Sequence, residues 1–449
     1  MTDAAAAGAK RAYGWRDILK ALGQRKVALT LALGFGSGLP FLLTGATFGL
    51  WLREYGVTLA AIGYLSWVGF AYSFKFLWAP LIDKIDAPLL GFLGRRRGWM
   101  VLSQLLVGAA LIAMAVIGPA GGLTALGIAA LVVAFASATQ DIVVDAWRIE
   151  SADNDDELGL LTAAAALGYR IAILSANALI LFVAVGIGWN GAYAVYGAAM
   201  SIAIVATLMA REPAAQISGG PKHSLMTLSG IFDAIAGPFL AFLKTHGGMA
   251  VLMLAAISLY RLPDFVMGPM VGPFYVDAGL SKETIGSVRL TVGLAGSLIG
   301  IVCAGLAAIR LGFGTTLLIG ALIGPGSNVA YAFLASQDVT PTLFASVLFV
   351  ENFSESFAGA ALVAYMSSLT SLGYVATQFA LLTSFYALLG KFLKGFSGQV
   401  VESLQHGREL MDAYALFFIG TALVGVPAVI LCLILNREAA KRRSIVEAA

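Results

Sequence analysis

The chain has 449 residues, of which 59% are hydrophobic and 12% charged, with a net charge of +3. Soluble domains carry roughly 25% charged residues, so this composition excludes an ordinary soluble globular protein. Apolar runs of about 20 residues or more also exclude a membrane β-barrel, whose strands read as short alternating segments. What remains is an all-α integral membrane protein, since a helix satisfies its own backbone hydrogen bonds in lipid.

The first stretch, MTDAAAAGAKRAYGWRD, is polar and has no signal-peptide core, so residues 1–26 are expected to be a cytoplasmic tail. Twelve spans are then expected at 27–50, 58–82, 99–118, 123–147, 159–184, 189–210, 249–276, 283–309, 313–334, 341–367, 373–396 and 412–436. Each can cross ~30 Å of hydrocarbon at ~1.5 Å per residue. The longest polar break, 211–248, divides them six and six. Its stretch LMTLSGIFDAIAGPFLAFLKTH carries Asp233 and reads as an interfacial helix, because a thirteenth span would move the basic C-terminus across the membrane. The expected domains are therefore 27–210 and 249–436, with a linker between them and a tail at 437–449. Lys and Arg concentrate in the tails, in 95–97 and in the linker, which places both termini on the cytoplasmic side. Arg53, Lys282, Lys394 and Arg408 are assigned to the opposite side.

Span one holds GSGLPF and span seven holds YRLPDF, an echo that suggests two repeated halves. Gly34, Gly36 and Gly38 permit close helix approach. Cys303 and Cys432 both sit in apolar runs, so neither a disulfide framework nor a metal site is expected.

The loop APLIDKIDAPLLGFLGRRRGW resembles the cytoplasmic signature of the major facilitator superfamily. The resemblance implies a gating role for Asp83, Arg95, Arg96 and Arg97; the competing reading is a plain positive-inside anchor. In SATQDIVVDAWR, Asp141 and Asp145 are one turn apart on one helix face. Counting from residue 123 puts Asp145 ~33 Å along its helix, close to the cytoplasmic surface. A gate involving Lys75 of span two or the 95–97 arginines is the favoured role for the pair.

Ionisable residues nearer the midplane are better candidates for cargo and coupling. Arg170 and Arg261 suit an anionic group, because arginine keeps its charge. Asp264, Glu351 and Glu355 are the proton-coupling candidates, with Asn352 beside the glutamates as a ligand-binding candidate. Mutual ion pairing that only fixes helix register is the competing reading. Tyr169, Tyr260, Tyr365, Trp67 and Trp147 could stack on a sugar ring, although aromatics in such helices more often pack or sit in interfacial belts. No phosphate loop and no nucleic-acid signature is present, so no cofactor and no nucleic-acid partner is expected.

Together LGFGSGLPF, YLSWVGFAYSFKFLWAPLID, GRRRGW, SATQDIVVDAWR, LGYRIAIL, YRLPD, LFVENF and ATQFALLTS resemble the muropeptide permease (AmpG-like) family of the major facilitator superfamily. The resemblance spans about residues 30–390 and reaches, more distantly, to acetyl-CoA transporters. It implies a twelve-helix bundle of two six-helix halves that imports anhydromuropeptides, sugar–peptide fragments of the cell wall, across the bacterial inner membrane by proton symport. A monomer is expected. The chain departs from the family pattern at Glu355 and Pro263, both where cargo would sit. Two other readings are an acyl-CoA or related anion carrier on the same fold and an intramembrane prenyl transferase using Asp141 and Asp145.

Overall fold

The computed structural model describes residues 24–213, 247–369 and 387–448. The described residues form helices and turns, with no strand among them. Among the described residues, nine segments are long and apolar enough to cross a membrane. One of them, Glu157–Met209, is 53 residues long and is two crossings rather than one. It is interrupted at Gly188 (φ 73°, ψ 169°), a conformation open to glycine. The Tyr196 hydroxyl then meets both the carbonyl and the hydroxyl of Ser175, at 2.7 and 2.8 Å, so the chain doubles back.

In chain order the first half contains α1 (Arg25–Leu43) and α2 (Ala46–Glu54), which together make the first span. The second span is α3 (Leu59–Leu65), α4 (Phe70–Phe74) and α5 (Ala79–Lys84), joined by tight 3₁₀ turns. Then follow α6 (Arg95–Ile117), α7 (Leu123–Ser151), α8 (Asp155–Leu174) and α9 (Ile180–Met209). Asn154 caps α8 by accepting from the Glu157 amide at 2.9 Å, and Glu157 accepts in return from the Asp153 amide at 2.7 Å.

The second half opens with α10 (Gly248–Tyr260) and α11 (Leu262–Asp277), separated at Arg261. Both halves thus break their first span close to the Leu-Pro pair. A proline withholds one amide and crowds the preceding turn, so the break is a local consequence of sequence. Next are α12 (Lys282–Val288), α13 (Leu294–Leu311), α14 (Phe313–Ala335) and α15 (Pro341–Leu369). The eleventh span is described from residue 387 and ends in α16 (Ser397–Leu404). The last span is α17 (Leu410–Val424) followed by α18 (Val426–Ala448).

Within the first half, α1 lies on α8, and α6 lies between α7 and α9. The α1–α8 seam is built from glycine. A Cβ on Gly34 would strike the Ala165 backbone, one on Gly38 the Tyr169 carbonyl, and one on Gly168 the Leu31 carbonyl. Backbones that close gain dispersion contact where lipid offers no hydrophobic drive. In the second half α15 packs on α13 and α14, and α14 packs on α17. Outward faces keep exposed apolar side chains such as Val116, Leu298 and Ile309, as a lipid-facing surface requires.

Several expectations change. α7 continues to Ser151, past the expected end at 147, and α18 keeps the stretch after 436 helical as far as Ala448. The expected tail at 1–23 and the interfacial helix within 214–246 lie outside the described residues.

Candidate functional site

The halves meet at one end of the bundle, the end that holds the α2–α3 and α11–α12 turns. Arg53 at the end of α2 donates through Nε to both oxygens of Asp277 at the end of α11, at 2.8 and 2.9 Å. Tyr414 of α17 donates to the same carboxylate at 2.7 Å. Next door, Glu54 accepts from Lys282 at 2.6 Å and from the Trp189 indole at 2.7 Å. Glu402 of α16 accepts from the Ala60 amide at 2.9 Å, satisfying an orphan donor in the first turn of α3. Gly63 and Gly398 let α3 and α16 close to backbone distance. Trp67 adds an indole bond to the Phe392 carbonyl at 3.0 Å and stacks on that ring.

The opposite end, which carries Arg95–Arg97, is organised differently. Arg96 bridges Asp83 and Glu150, both at 2.6 Å. Arg95 reaches Asp86 at 3.4 Å, and Arg97 reaches the carbonyls of Thr207 and Leu208. Glu212 accepts from the Arg96 and Arg97 amides at 2.8 and 2.9 Å, where the positive end of the α6 dipole favours an anion. These partners belong to the first half, apart from Glu212 at the start of the linker. The ion pairs of Arg95 and Arg96 at this end stay within the first half.

Of the two partners expected for Asp141 and Asp145, Arg95 and Arg96 of the 95–97 cluster are held by other carboxylates, whereas Lys75 is a charged neighbour of Asp141. Asp145 pairs with Arg148 of its own helix at 3.1 Å. Because α7 runs on to Ser151, Asp141 lies ~15 Å inside that helix end, deeper than expected. There its charged neighbours are Lys75 and Asp145.

Between the two ends, under the closed one, is an inter-half cavity of about 220 Å³. Its walls include Thr44 and Phe48 from the first span, Ser66, Gly69 and Tyr72 from the second, and Asp264 from α11. Lys391 and Lys394 of the eleventh span complete it. Of the expected cargo and coupling residues, Asp264 is the one that lines this cavity. Lys394, counted from sequence among the charges of the non-cytoplasmic side near the end of span eleven, lies in the cavity wall. A charge count over loops could not place it, because its span runs on to Leu404.

Arg261 sits at the break between α10 and α11 and gathers carboxylates. It contacts Asp264 at 3.1 Å and Glu355 at 2.9 Å, and also donates to the Glu355 carbonyl at 3.1 Å. The two glutamates of α15 therefore have different partners. Glu351 accepts from the Asn352 side-chain amide at 2.9 Å, and Arg289 is the opposite charge that acts on it. Arg289, a residue the motif reading passed over, crosses the seam to the Asn177 carbonyl at 3.0 Å and lies over the Tyr275 ring. Tyr275 in turn shares a 2.5 Å hydroxyl contact with Tyr331.

The remaining expected ligand contacts are spread out. Asn352 bonds to Leu348 and Ser297 as well as Glu351, which makes it part of the α13–α15 joint. Tyr260 is buried beneath Gly320, and its hydroxyl has no hydrogen-bond partner among the described residues. Tyr365 is buried in that same cluster of the second half. Trp147 is buried and donates to the Arg211 carbonyl. Arg170 is exposed on α8, without an ion pair among the described residues, and Tyr169 is partly buried beside it.

The profile of the family described as Acetyl-coenzyme A transporter 1 matches residues 26–122. The anhydromuropeptide permease of Escherichia coli (strain K12) is 34% identical over 93% of this chain and 81% of its own. The putative transporter AmpG 4 of Rickettsia felis is 29% identical over 90% and 95%. Among solved structures, the nucleoside transporter NupG superposes with a TM-score of 0.68 at 15% identity, covering 92% of this chain and 98% of its own. The D-xylose–proton symporter gives 0.61 at 14% identity, covering 91% and 97%. These likenesses place the fold among the major facilitator transporters, and the relatives are permeases, which removes the prenyl-transferase reading. The chain belongs to the anhydromuropeptide permease family, a transporter branch of the major facilitator superfamily.

Proposed function

We propose that the protein imports anhydromuropeptides by proton-coupled alternating access, as a monomer in a bacterial inner membrane, with both termini cytoplasmic. The observation that carries this reading is the asymmetry of the seam. Cross-half ion pairs gather at the Arg53–Asp277 end, while the pairs at the Arg96 end stay within one half. By the positive-inside rule the basic Arg96 end is cytoplasmic. The conformation is then closed outward, with the cavity beneath the closure.

In this reading Arg261 couples proton to cargo. Asp264 and Glu355 compete with an anionic ligand for its guanidinium. A proton on either carboxylate weakens that pair and turns the guanidinium toward the ligand, and losing the proton restores it. Glu351 with Arg289 is a second proton site on the same helix. Arg170 offers a further cation to an extended anionic cargo. The cytoplasmic cluster of Asp83, Arg95, Arg96 and Arg97 stiffens the first half, while Asp141, Asp145 and Lys75 line its inner part.

The match of residues 26–122 supports a second cargo, an acyl-CoA, on the same machinery. Counterflow separates the two. Proteoliposomes preloaded with unlabelled anhydromuropeptide should accumulate the labelled compound, and Arg170→Ala should slow the exchange. Exchange of acetyl-CoA but not of anhydromuropeptide would overturn the cargo assignment.

A further inference from the structure

The inter-half cavity contains two cations that form no ion pair among the described residues. Lys391 and Lys394 are three residues apart on one helical face of the eleventh span. The Lys391 ammonium donates to the Ser73 hydroxyl at 2.7 Å and to the Gly69 carbonyl at 3.3 Å, both neutral acceptors. The Lys394 ammonium lies 3.1 Å from where a Gly69 Cβ would sit. Both ammonium groups therefore converge on Gly69, whose missing side chain leaves room for them.

No carboxylate of the described residues lies within ion-pair distance of either lysine. Asp264 lines the same cavity, but Arg261 already holds it at 3.1 Å. A charge inside a bilayer is costly without a partner, and two like charges at adjacent positions raise that cost. A structural lysine would be better served by a carboxylate, whereas a binding lysine needs its counter-charge to arrive with the ligand.

The geometry points to Lys391 and Lys394 as a subsite for an anionic end group of the transported solute, a carboxylate in the case of a muropeptide. This rests on the transporter reading of the cavity. About 220 Å³ is less than the 300–1,000 Å³ usual for whole small ligands, so the subsite takes one end of the cargo. Ser66 lines the same cavity, and its buried hydroxyl, without a hydrogen-bond partner among the described residues, offers a donor to the bound anion.

Equilibrium binding to the full chain in nanodiscs tests this with three probes. These are an anhydromuropeptide, the same compound with its carboxylates amidated, and acetyl-CoA. Against wild type, the double variant Lys391→Met/Lys394→Met should raise Kd for the acid probe roughly tenfold or more. Its Kd for the amidated probe should stay within about twofold, which also shows that the variant is folded. Lys391→Arg/Lys394→Arg, which keeps both charges, should retain most of the acid affinity. Unchanged affinity for the acid probe in the Met variant, or equal loss for acid and amide, would overturn the subsite while leaving the transport reading intact. If wild type binds acetyl-CoA instead and the Met variant loses it, the muropeptide cargo falls. The cation subsite then stands, with phosphate in the carboxylate's place.

Discussion

Arg53 and Asp277 face each other across the seam between the halves, 224 positions apart in sequence and 2.8 Å apart in space. Their side chains are only 17% and 12% exposed, so the pair is poorly screened by solvent. Arg53→Ala leaves Asp277 with Tyr414 alone. At about 1.5–3 kcal/mol for a hydrogen bond to a charged group, the closed-end population should fall by roughly 10- to 150-fold relative to the open one. Spin labels at the exposed positions Tyr55 and Glu283 should report a longer inter-half distance in the variant. The swap Arg53→Asp/Asp277→Arg should recover part of the short distance. An unchanged distance in Arg53→Ala would remove the pair from the latch.

Asp264→Asn and Glu355→Gln each remove one competitor from Arg261. Each variant should still bind cargo but transport it with a weaker dependence on the proton gradient. Direct measurement is the ratio of initial uptake rates with and without an imposed gradient, compared with wild type. Arg261→Met should lose uptake under both conditions. An undiminished ratio in both carboxylate variants would move coupling to Glu351.

Gly168 touches the Leu31 backbone so closely that any Cβ forces α1 and α8 apart. Gly168→Val should cost several kcal/mol by overpacking an interface that cannot yield cheaply. Thermal unfolding followed by gel filtration in detergent should show a clear drop in Tm, or no folded protein. Gly186, with nothing near its Cβ position, is the control, and Gly186→Ala should behave as wild type.

Asn352 makes its hydrogen bonds within the second half, two of them along α15 and one to Ser297 of α13. Asn352→Ala should therefore lower Tm and leave KM for cargo within about twofold, since truncating a packed polar joint leaves its partners unsatisfied. A large rise in KM at unchanged Tm would return Asn352 to the ligand site.

The spans were legible because hydrophobic length is a strong signal and each crossing needs about 20 apolar residues. The Leu-Pro pairs located the broken first helices of both halves for the same local reason, a proline within a helical run. Partnership was not legible. Asp141, Asp145 and the arginines at 95–97 are near in sequence order and opposite in charge, yet Glu150, Asp83 and Glu212 hold those arginines. Glu150 and Glu212 carry no motif of their own; they reach Arg96 because α7 and α9 end beside the start of α6. Lys391 and Lys394 escaped for another reason. They sit in an apolar stretch without a flanking pattern, and only the closure of two distant spans turns them into a cavity wall. Arg289 was passed over likewise, since its contacts with Asn177 and Tyr275 come from different elements.

The proposed mechanism is proton-driven import of anhydromuropeptide. Uptake of labelled anhydromuropeptide into proteoliposomes holding the purified full-length chain, acidic outside and neutral inside, tests it most directly. The expected result is accumulation above the external concentration, collapse to equilibrium on adding a protonophore, and loss of accumulation in Arg261→Met. Absence of uptake by the wild type, or accumulation that a protonophore leaves unchanged, would contradict it.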